Sequence, residues 1–516
     1  MSSSAPERPP LPDVLTSAPL ATGRPWLAWV AVTFVLWNSC ASHAGARWSD
    51  RQLAQGDFPR TPGFALAALR GAGVDDGDIS RYLAYASAAL GRPYQAWYVR
   101  PLDGWTGPQP DRGGSDPDDP RETPPLRPDR RLLPYRDFFV EYPPGFFLLA
   151  IPPALLGLDL DGYRLVFSVG MALLLTAALL ACVRIGRVLR PSADSSPVAV
   201  AALLALVLGT IAVRRFDAIV ALSLCLFLDG CIRRKPVLGG IALGLGVVTK
   251  LVPLLVVPLA LVYWGLLRRW RDLAMTALAA GLVVLGVGGP YFLVAGDHAL
   301  DLLHYHSLRP LEVESTGAAL MTLGRIFDPA SAWRFDAYGF DNVVGPADRF
   351  LLPLANLLPL LATAAILAWA VAQTRAASRG ADGERIKGEV LVRASCATLA
   401  ASMALGKVFS AQYLVWILPA GALLAVLDPG GRRRTGILLL GGAMLLTQLN
   451  QHVFYGLLGK GPHPAMGGLF LLRNVLVMAW TVWILLPGPA RRASTGAEEG
   501  LPMSTAGLAS PSAMPH

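Results

Sequence analysis

Charge is scarce in this chain. Asp, Glu, Lys and Arg together supply 16% of its 516 residues, against roughly a quarter in soluble globular domains, and that shortage excludes an ordinary water-soluble fold. Lysine is scarcer still: Lys235, Lys250, Lys387, Lys407 and Lys460 stand against forty arginines. The five cysteines, Cys40, Cys182, Cys225, Cys231 and Cys396, lie in or at the ends of apolar runs and show no CxxC spacing. Neither a disulfide framework nor a thiolate metal centre is indicated. The seven histidines are scattered, His304 and His306 alone being close in sequence, so no metal site is readable. The net charge of +9 is not a nucleic-acid signal either, because the arginines cluster at the ends of apolar runs.

What the chain has instead is apolar length. Its hydrophobic content is 53% and its mean hydropathy +0.46. Apolar runs of roughly 15 to 25 residues recur, and about 20 suffice to cross a hydrocarbon core as a helix. Lipid offers no partner to backbone amides, so these runs should be helical. The expected fold is an all-α polytopic membrane protein. Residues 1–25 lack the short apolar core of a cleavable signal and are expected to be a disordered cytoplasmic segment, with 26–42 a retained first span. Further crossings are expected at 161–183, 198–213, 216–232, 237–249, 251–266, 272–295, 347–371, 390–406, 411–428, 435–455 and 464–487, about twelve in all. The Ser-, Ala- and Pro-rich tail 488–516 reads as disordered.

Arginine fixes the direction of these crossings. Arg184, Arg187 and Arg190, then Arg233, Arg234 and Lys235, then Arg268, Arg269 and Arg271, then Arg375 through Arg393, then Arg432 to Arg434 and Arg491 with Arg492 mark cytoplasmic loops by the positive-inside rule. Both termini then lie inside. The short run 145–158, interrupted by Pro152 and Pro153, would reverse the next arginine loop if it crossed, so it is read as dipping in and returning. Two large loops, 43–144 and 296–346, fall outside. The outer face thereby collects Asp75, Asp76 and Asp78, the stretch "PYRDFFVEYPPGFFLL" with Arg136, Asp137 and Glu141, "AVRRFDAIV" with Arg214, Arg215 and Asp217, Lys250, "HYHSLRPLEVES", and Lys407.

Lys250 and Lys407 stand against apolar spans in a chain that elsewhere uses arginine as its generic cation. An ionisable group at a span centre costs about 2.5–3.5 kcal/mol on insertion scales, which makes function the default reading. Snorkelling to the headgroups is the alternative. A compact ammonium suits a phosphate as a point charge, so the two lysines suggest a lipid-phosphate site.

The motifs "DISRYLAYASAALGRPY", "PYRDFFVEYPP", "RFDAIVAL", "GGIALGLGVVTKLVPLLVVP", "LRPLEVES" and "GKVFSAQYLVWILP" occur in an order that resembles the GT-C class of integral membrane glycosyltransferases. The nearest resemblance is to glycosyltransferase family 87, the polyprenyl-phosphate-mannose-dependent mannosyltransferases, and it runs over about 26–487. It implies a GT-C-like plasma-membrane enzyme that works on the outer face without a cofactor or metal. A hexose, mannose for this family, would pass from a polyprenyl-phosphate donor to an envelope glycan or glycolipid acceptor by direct inverting displacement. A carboxylate of the first outer loop would serve as general base. Such a group is what the chemistry needs, since a sugar hydroxyl is a poor nucleophile until its proton is taken, and cations must hold the leaving phosphate.

Carried over by position, Asp78 matches the base, in a D-x3-Y pattern with Tyr82, and Asp76 is second. Capping of a solvated helix is the other reading of these acids. Glu141 matches the EYPP element facing the cleft, where a structural lip is the alternative. Substrate contacts are implied for Tyr82, Arg136, Asp137, Arg215, Asp217, Lys250, Arg309, Lys407, Gln412 and Tyr413, and for Glu314 and Ser315 as a grip on sugar hydroxyls. Arg215 and Asp217 read equally as an ion-paired turn, and His304, His306 and Arg309 as loop surface. The Pro-, Asp- and Arg-rich insert 95–133 departs from the family pattern. A transporter or lipid flippase would also show many spans and buried charges, but should carry an internal repeat, and none is evident. A catalytically inactive scaffold stays open.

Overall fold

The computed structural model describes residues 77–94, 98, 99, 102, 131–191, 196–337, 340–377, 383–428, 430–451 and 461–486. The expected first span 26–42, Asp75, Asp76, both terminal segments and most of the insert lie outside these residues. Within them the chain is helical almost throughout. Helix α1 is Gly77–Leu90, α2 Phe147–Leu155 behind a 3-10 turn Pro144–Phe146, α3 Leu160–Leu189, α4 Ser196–Leu208, α5 Ile211–Arg214, α6 Ala218–Ile232, and α7 Pro236–Thr249. A 3-10 turn Val252–Val256 leads into α8 Val257–Leu266, and α9 Trp270–Val283 continues through a π turn into α10 Gly289–Ala295. There follow α11 Asp301–Leu308, α12 Thr316–Gly324, α13 Asp348–Ala377, α14 Gly383–Leu405, α15 Leu414–Leu427, α16 Gly430–Leu449 and α17 Pro464–Leu485. These helices fall on the apolar runs from 160 onward, with longer ends at Leu189, Ala377 and Gly383, and the 272–295 run extends through α11.

Among the described residues, five helical stretches are long and apolar enough to cross a membrane, and Pro144–Leu155 and five other apolar helices are shorter. The protein is a multi-pass membrane protein. Burial separates the centre from the rim: 83% of the apolar window of α14 is buried, against 11% for Trp270–Leu308 and for α13. Leu278, Leu282, Leu285 and Leu293 on that long stretch and Leu360 and Leu361 on α13 stay exposed, as side chains facing lipid should. Among the described residues, the departure from an all-helical pattern is a three-stranded antiparallel sheet between α11 and α13, made by β1 Leu311–Glu312, β2 Trp333–Ala337 and β3 Phe340–Val344 in the order β1-β3-β2.

Helix α7 owes its place to glycine. It packs between α6 and α9, and a Cβ built on Gly240 would fall 2.4 Å from the Thr276 carbonyl oxygen. Small residues let helix backbones approach closely where lipid gives no hydrophobic drive. Gly145 does the same for the EYPPG turn, because its Cβ would lie 2.6 Å from the Val248 oxygen. That approach seats the turn beside the end of α7, where Lys250 stands. Ion pairs also join the helices: Asp229 lies between Arg184 and Arg233, and Arg393 bridges Glu389 and Asp428.

Gly240→Ala should lower the thermal midpoint of the detergent-solubilised protein, as overpacking of a tight contact costs about 1–3 kcal/mol. Gly281→Ala, with nothing within 4 Å of its Cβ, should leave the midpoint within error. Equal midpoints for Gly240→Ala and the unmodified protein would remove the close-approach account.

Candidate active site

Helix α1 carries the first functional face. Its acid Asp78 stands in the first turn, where the helix dipole favours a negative charge. Asp78, Arg81, Tyr82 and Tyr85 follow at i, i+3, i+4 and i+7 and so share one side of the helix. Asp78 accepts from Arg215 Nε at 2.8 Å, and Arg81 lies 3.7 Å from its other oxygen. Burial on its own would raise the Asp78 carboxyl. Arg215, Arg81, Lys250 and Arg309 together outweigh it and hold the group below its ordinary value of 3.8. The carboxylate is therefore ionised at neutral pH.

The second face is the stretch Tyr135–Gly145. Glu141 is buried and held at both oxygens, by Arg81 at 2.8 Å and by the Tyr85 hydroxyl at 2.6 Å. Burial, then Glu141, push the Tyr85 phenol well above its usual value, so it donates as a neutral hydroxyl. His306 Nε2 donates to the Glu141 carbonyl at 3.2 Å, which brings α11 onto the same turn. Upstream, Asp137 closes a tight turn by accepting from the Leu133 amide at 2.7 Å. Tyr135 adopts a left-handed φ of 66° there, uncommon for a bulky residue, while its hydroxyl donates to the Tyr142 carbonyl. The Arg136 side chain is 61% exposed and lies 3.8 Å from Asp137. Beneath the charges, Tyr82 meets Tyr142, Phe146 and Phe216 edge-on at 5.8, 5.1 and 5.6 Å, an apolar floor.

A third group surrounds Lys250. Its ammonium sits 2.7 Å from Asp217 Oδ1, and Trp416 Nε1 donates to that same oxygen at 2.5 Å. The rings of Phe216, Tyr413 and Trp416 face the ammonium at 5.0, 4.8 and 5.1 Å, favourable cation-π distances. Lys407 differs. It donates to the Ser307 carbonyl at 3.0 Å, and burial together with the charge of Arg309 lowers its ammonium from the usual lysine range. Arg309 itself is 3% exposed. Gln412 is half-buried in the 3-10 turn Ala411–Tyr413, beside the ring that covers Lys250.

Glu312 and Glu314 tie the segment after α11 to the bundle. Glu312 accepts from the Phe409 amide at 2.7 Å and from the Ser410 hydroxyl. Glu314 pairs with Arg473, which also donates to the Glu314 carbonyl at 2.8 Å, and accepts from Gln451 at 3.0 Å. Ser315 caps α12 through the Ala318 amide at 3.2 Å. Thus Asp78, Tyr82, Arg215, Asp217, Lys250, Tyr413 and Glu141 form one connected cluster, which the charges of Arg309 and Lys407 join. Asp137, Glu314 and Ser315 hold turns around it, and Asp76 lies outside the described residues. Arg81, Tyr85, Trp416 and Arg473 are contributors that motif matching passed over. Among the described residues no three His, Cys, Asp or Glu side chains gather as a metal site.

Residues 139–317 match the family model described as glycosyltransferase family 87. That stretch holds Glu141, Arg215, Asp217, Lys250, Arg309 and Glu314. No curated protein matches the chain. Among solved structures, the crystal structure of ArnT from Cupriavidus metallidurans bound to undecaprenyl phosphate is similar at 16% identity, over 69% of each chain with a TM-score of 0.33, a likeness too low to bear on this chain. Together with the spans, the family match supports a membrane glycosyltransferase.

The stability that Asp78 contributes as a depressed carboxylate is present above 3.8, the ordinary value, and is lost as pH falls through the folded value. Removing the first of the cations that oppose burial, in Arg215→Gln, should start that loss at higher pH. Thermal midpoints recorded from pH 3 to 7 measure it, and superimposable profiles for the two proteins would contradict the assignment.

Proposed function

We propose that the chain transfers a hexose, mannose being the family's sugar, from a polyprenyl-phosphate donor to an envelope glycan or glycolipid acceptor, in a cleft on the extracytoplasmic face of the plasma membrane. The observation that carries this is an ionised, buried carboxylate at the start of α1, set among Arg215, Arg81, Lys250 and Arg309 and against a stretch that matches family 87. A base and an anion seat are what glycosyl transfer from a lipid phosphate requires.

In the proposed step the acceptor oxygen forms a bond to the sugar C1 as the bond from C1 to the phosphate oxygen breaks on the opposite face, which inverts the anomeric centre. Asp78 takes the hydroxyl proton in the transition state. Polyprenyl phosphate departs with the electron pair, and the surrounding cations stabilise its charge without reorganising. Arg215, Arg81, Lys250 and Arg309 set their charges about Asp78, surroundings that suit an anionic substrate. No step in this scheme calls for a metal.

The contacts divide the lysines. Lys250 is already neutralised by Asp217 and enclosed by three rings, so it fixes the shape of the seat. Lys407, which meets a carbonyl, is the lysine offered to the phosphate. Glu141, bound at both oxygens, positions α1 rather than taking a proton.

The experiment is release of polyprenyl phosphate from polyprenyl-phosphate-mannose by the purified protein in nanodiscs with a membrane extract as acceptor source. Asp78→Asn should cut turnover by about 10²-fold or more while donor binding persists, and Lys407→Met should weaken donor binding more than it slows turnover. Transfer by Asp78→Asn at the unmodified rate would overturn the role of this residue. Release from another hexosyl lipid but not the mannosyl one would overturn the sugar.

A further inference from the structure

Helix α1 has two working sides. Asp78, Arg81, Tyr82 and Tyr85 face the candidate site, whereas Ser80, Leu83, Ala84 and Ser87 project to the opposite side. There they line a groove of about 260 Å³ between α1, the segment Arg92–Tyr94 and the end of α2, closed at its edge by Leu158. A volume below the roughly 300–1,000 Å³ of complete small-molecule sites suits a headgroup whose remainder lies elsewhere.

Three observations indicate what enters. Ser87 is 6% exposed and lines the groove. Arg92 supplies the charge. Its guanidinium donates to the Ala154 carbonyl and, at 3.2 Å, to the Leu155 carbonyl, which fixes it at the groove wall and leaves three of its five N–H groups. Among the described residues, no acidic side chain lines the groove. Finally, Leu155, Leu156 and Leu158 at its rim are 54%, 60% and 42% exposed, an apolar lip at the same end of α2.

We propose that this groove seats the phosphate of an anionic phospholipid from the surrounding monolayer, with Arg92, Ser80 and Ser87 on the headgroup and an acyl chain against Leu155, Leu156 and Leu158. Arginine recognises phosphate through charge-assisted hydrogen bonds, and basic pockets among membrane helices bind anionic lipids in this way. A glycan acceptor is disfavoured, because the groove lies across α1 from Asp78. Occupancy would brace α1 from behind and so hold Asp78 against Arg215. The site is separate from the transfer reaction proposed above, and the test below does not depend on that reaction.

Native mass spectrometry of the full chain, released from nanodiscs of equal phosphatidylglycerol and phosphatidylcholine, reads the site. The unmodified protein should retain phosphatidylglycerol in preference. Ser87→Leu, which fills the groove and leaves Arg92 in place, should reduce retention about tenfold, the scale of one lost charge-assisted bond. Ser80→Leu repeats the test nearer the mouth if Ser87→Leu does not fold. Equal retention of both lipids, or unchanged phosphatidylglycerol in a folded leucine variant, overturns the proposal. So does retention that appears only after Asp116, Asp118 and Asp119 are changed to Asn, which would make the chain's own acidic insert the occupant.

Discussion

A carboxylate taken out of water inside a membrane protein must meet its cation, or the helices that bury it do not close. In this chain the pair on which the rest depends is Asp78 with Arg215, at 2.8 Å. It joins α1 to the turn between α5 and α6. Arg81 extends the link to Glu141, and Glu141 fastens the EYPP turn, which Gly145 in turn lets settle on the end of α7. Lys250 stands at that end and reaches back through Asp217 to Trp416 on α15. Segments far apart in sequence thus meet because each brings a charge that another must neutralise.

The same constraint separates groups that grip from groups that frame. Glu141 and Glu314 have both carboxylate oxygens taken by side-chain donors, and Asp217 holds Lys250 and Trp416 on one oxygen, so their effect on a substrate would run through geometry. Asp78 is held by cations and stays ionised, and Lys407 meets a backbone carbonyl. A lipid phosphate arriving here would find its countercharges already in place, which is the preorganisation that electrostatic catalysis rests on.

Much of the fold was legible in the sequence because bilayer thickness and backbone hydrogen bonding leave few solutions. The apolar runs gave the helices from 160 onward. The small sheet around Leu311 and Val343 was not legible, since two- to five-residue strands in a polar loop have no period to read. The partners were also hidden. Lys250 stood out as a rare charge in apolar surroundings and Asp78 by its D-x3-Y pattern, but nothing local says that Asp78 meets Arg215 or that Asp217 meets Trp416, because pairing at that separation is decided by packing. Arg473 could have been found. A lone arginine well inside the apolar run of α17 carries the same cost as a lone lysine, and it proves to hold Glu314. For Asp137 and Ser315 the sequence motif pointed to the right elements, while the structure gives these side chains turn-closing and capping contacts.

The central claim, that the Asp78–Arg215 pair holds the site together, is tested most directly by a double-mutant cycle on unfolding free energy in bicelles with Asp78→Asn and Arg215→Gln. Each single change leaves a buried charge without its partner and should be the more costly for it, and a coupling within about 0.5–3 kcal/mol is expected for groups in contact. The account predicts that the double variant loses less than the sum of the two singles. Strict additivity would show that the two side chains are neighbours without being partners, and would contradict it.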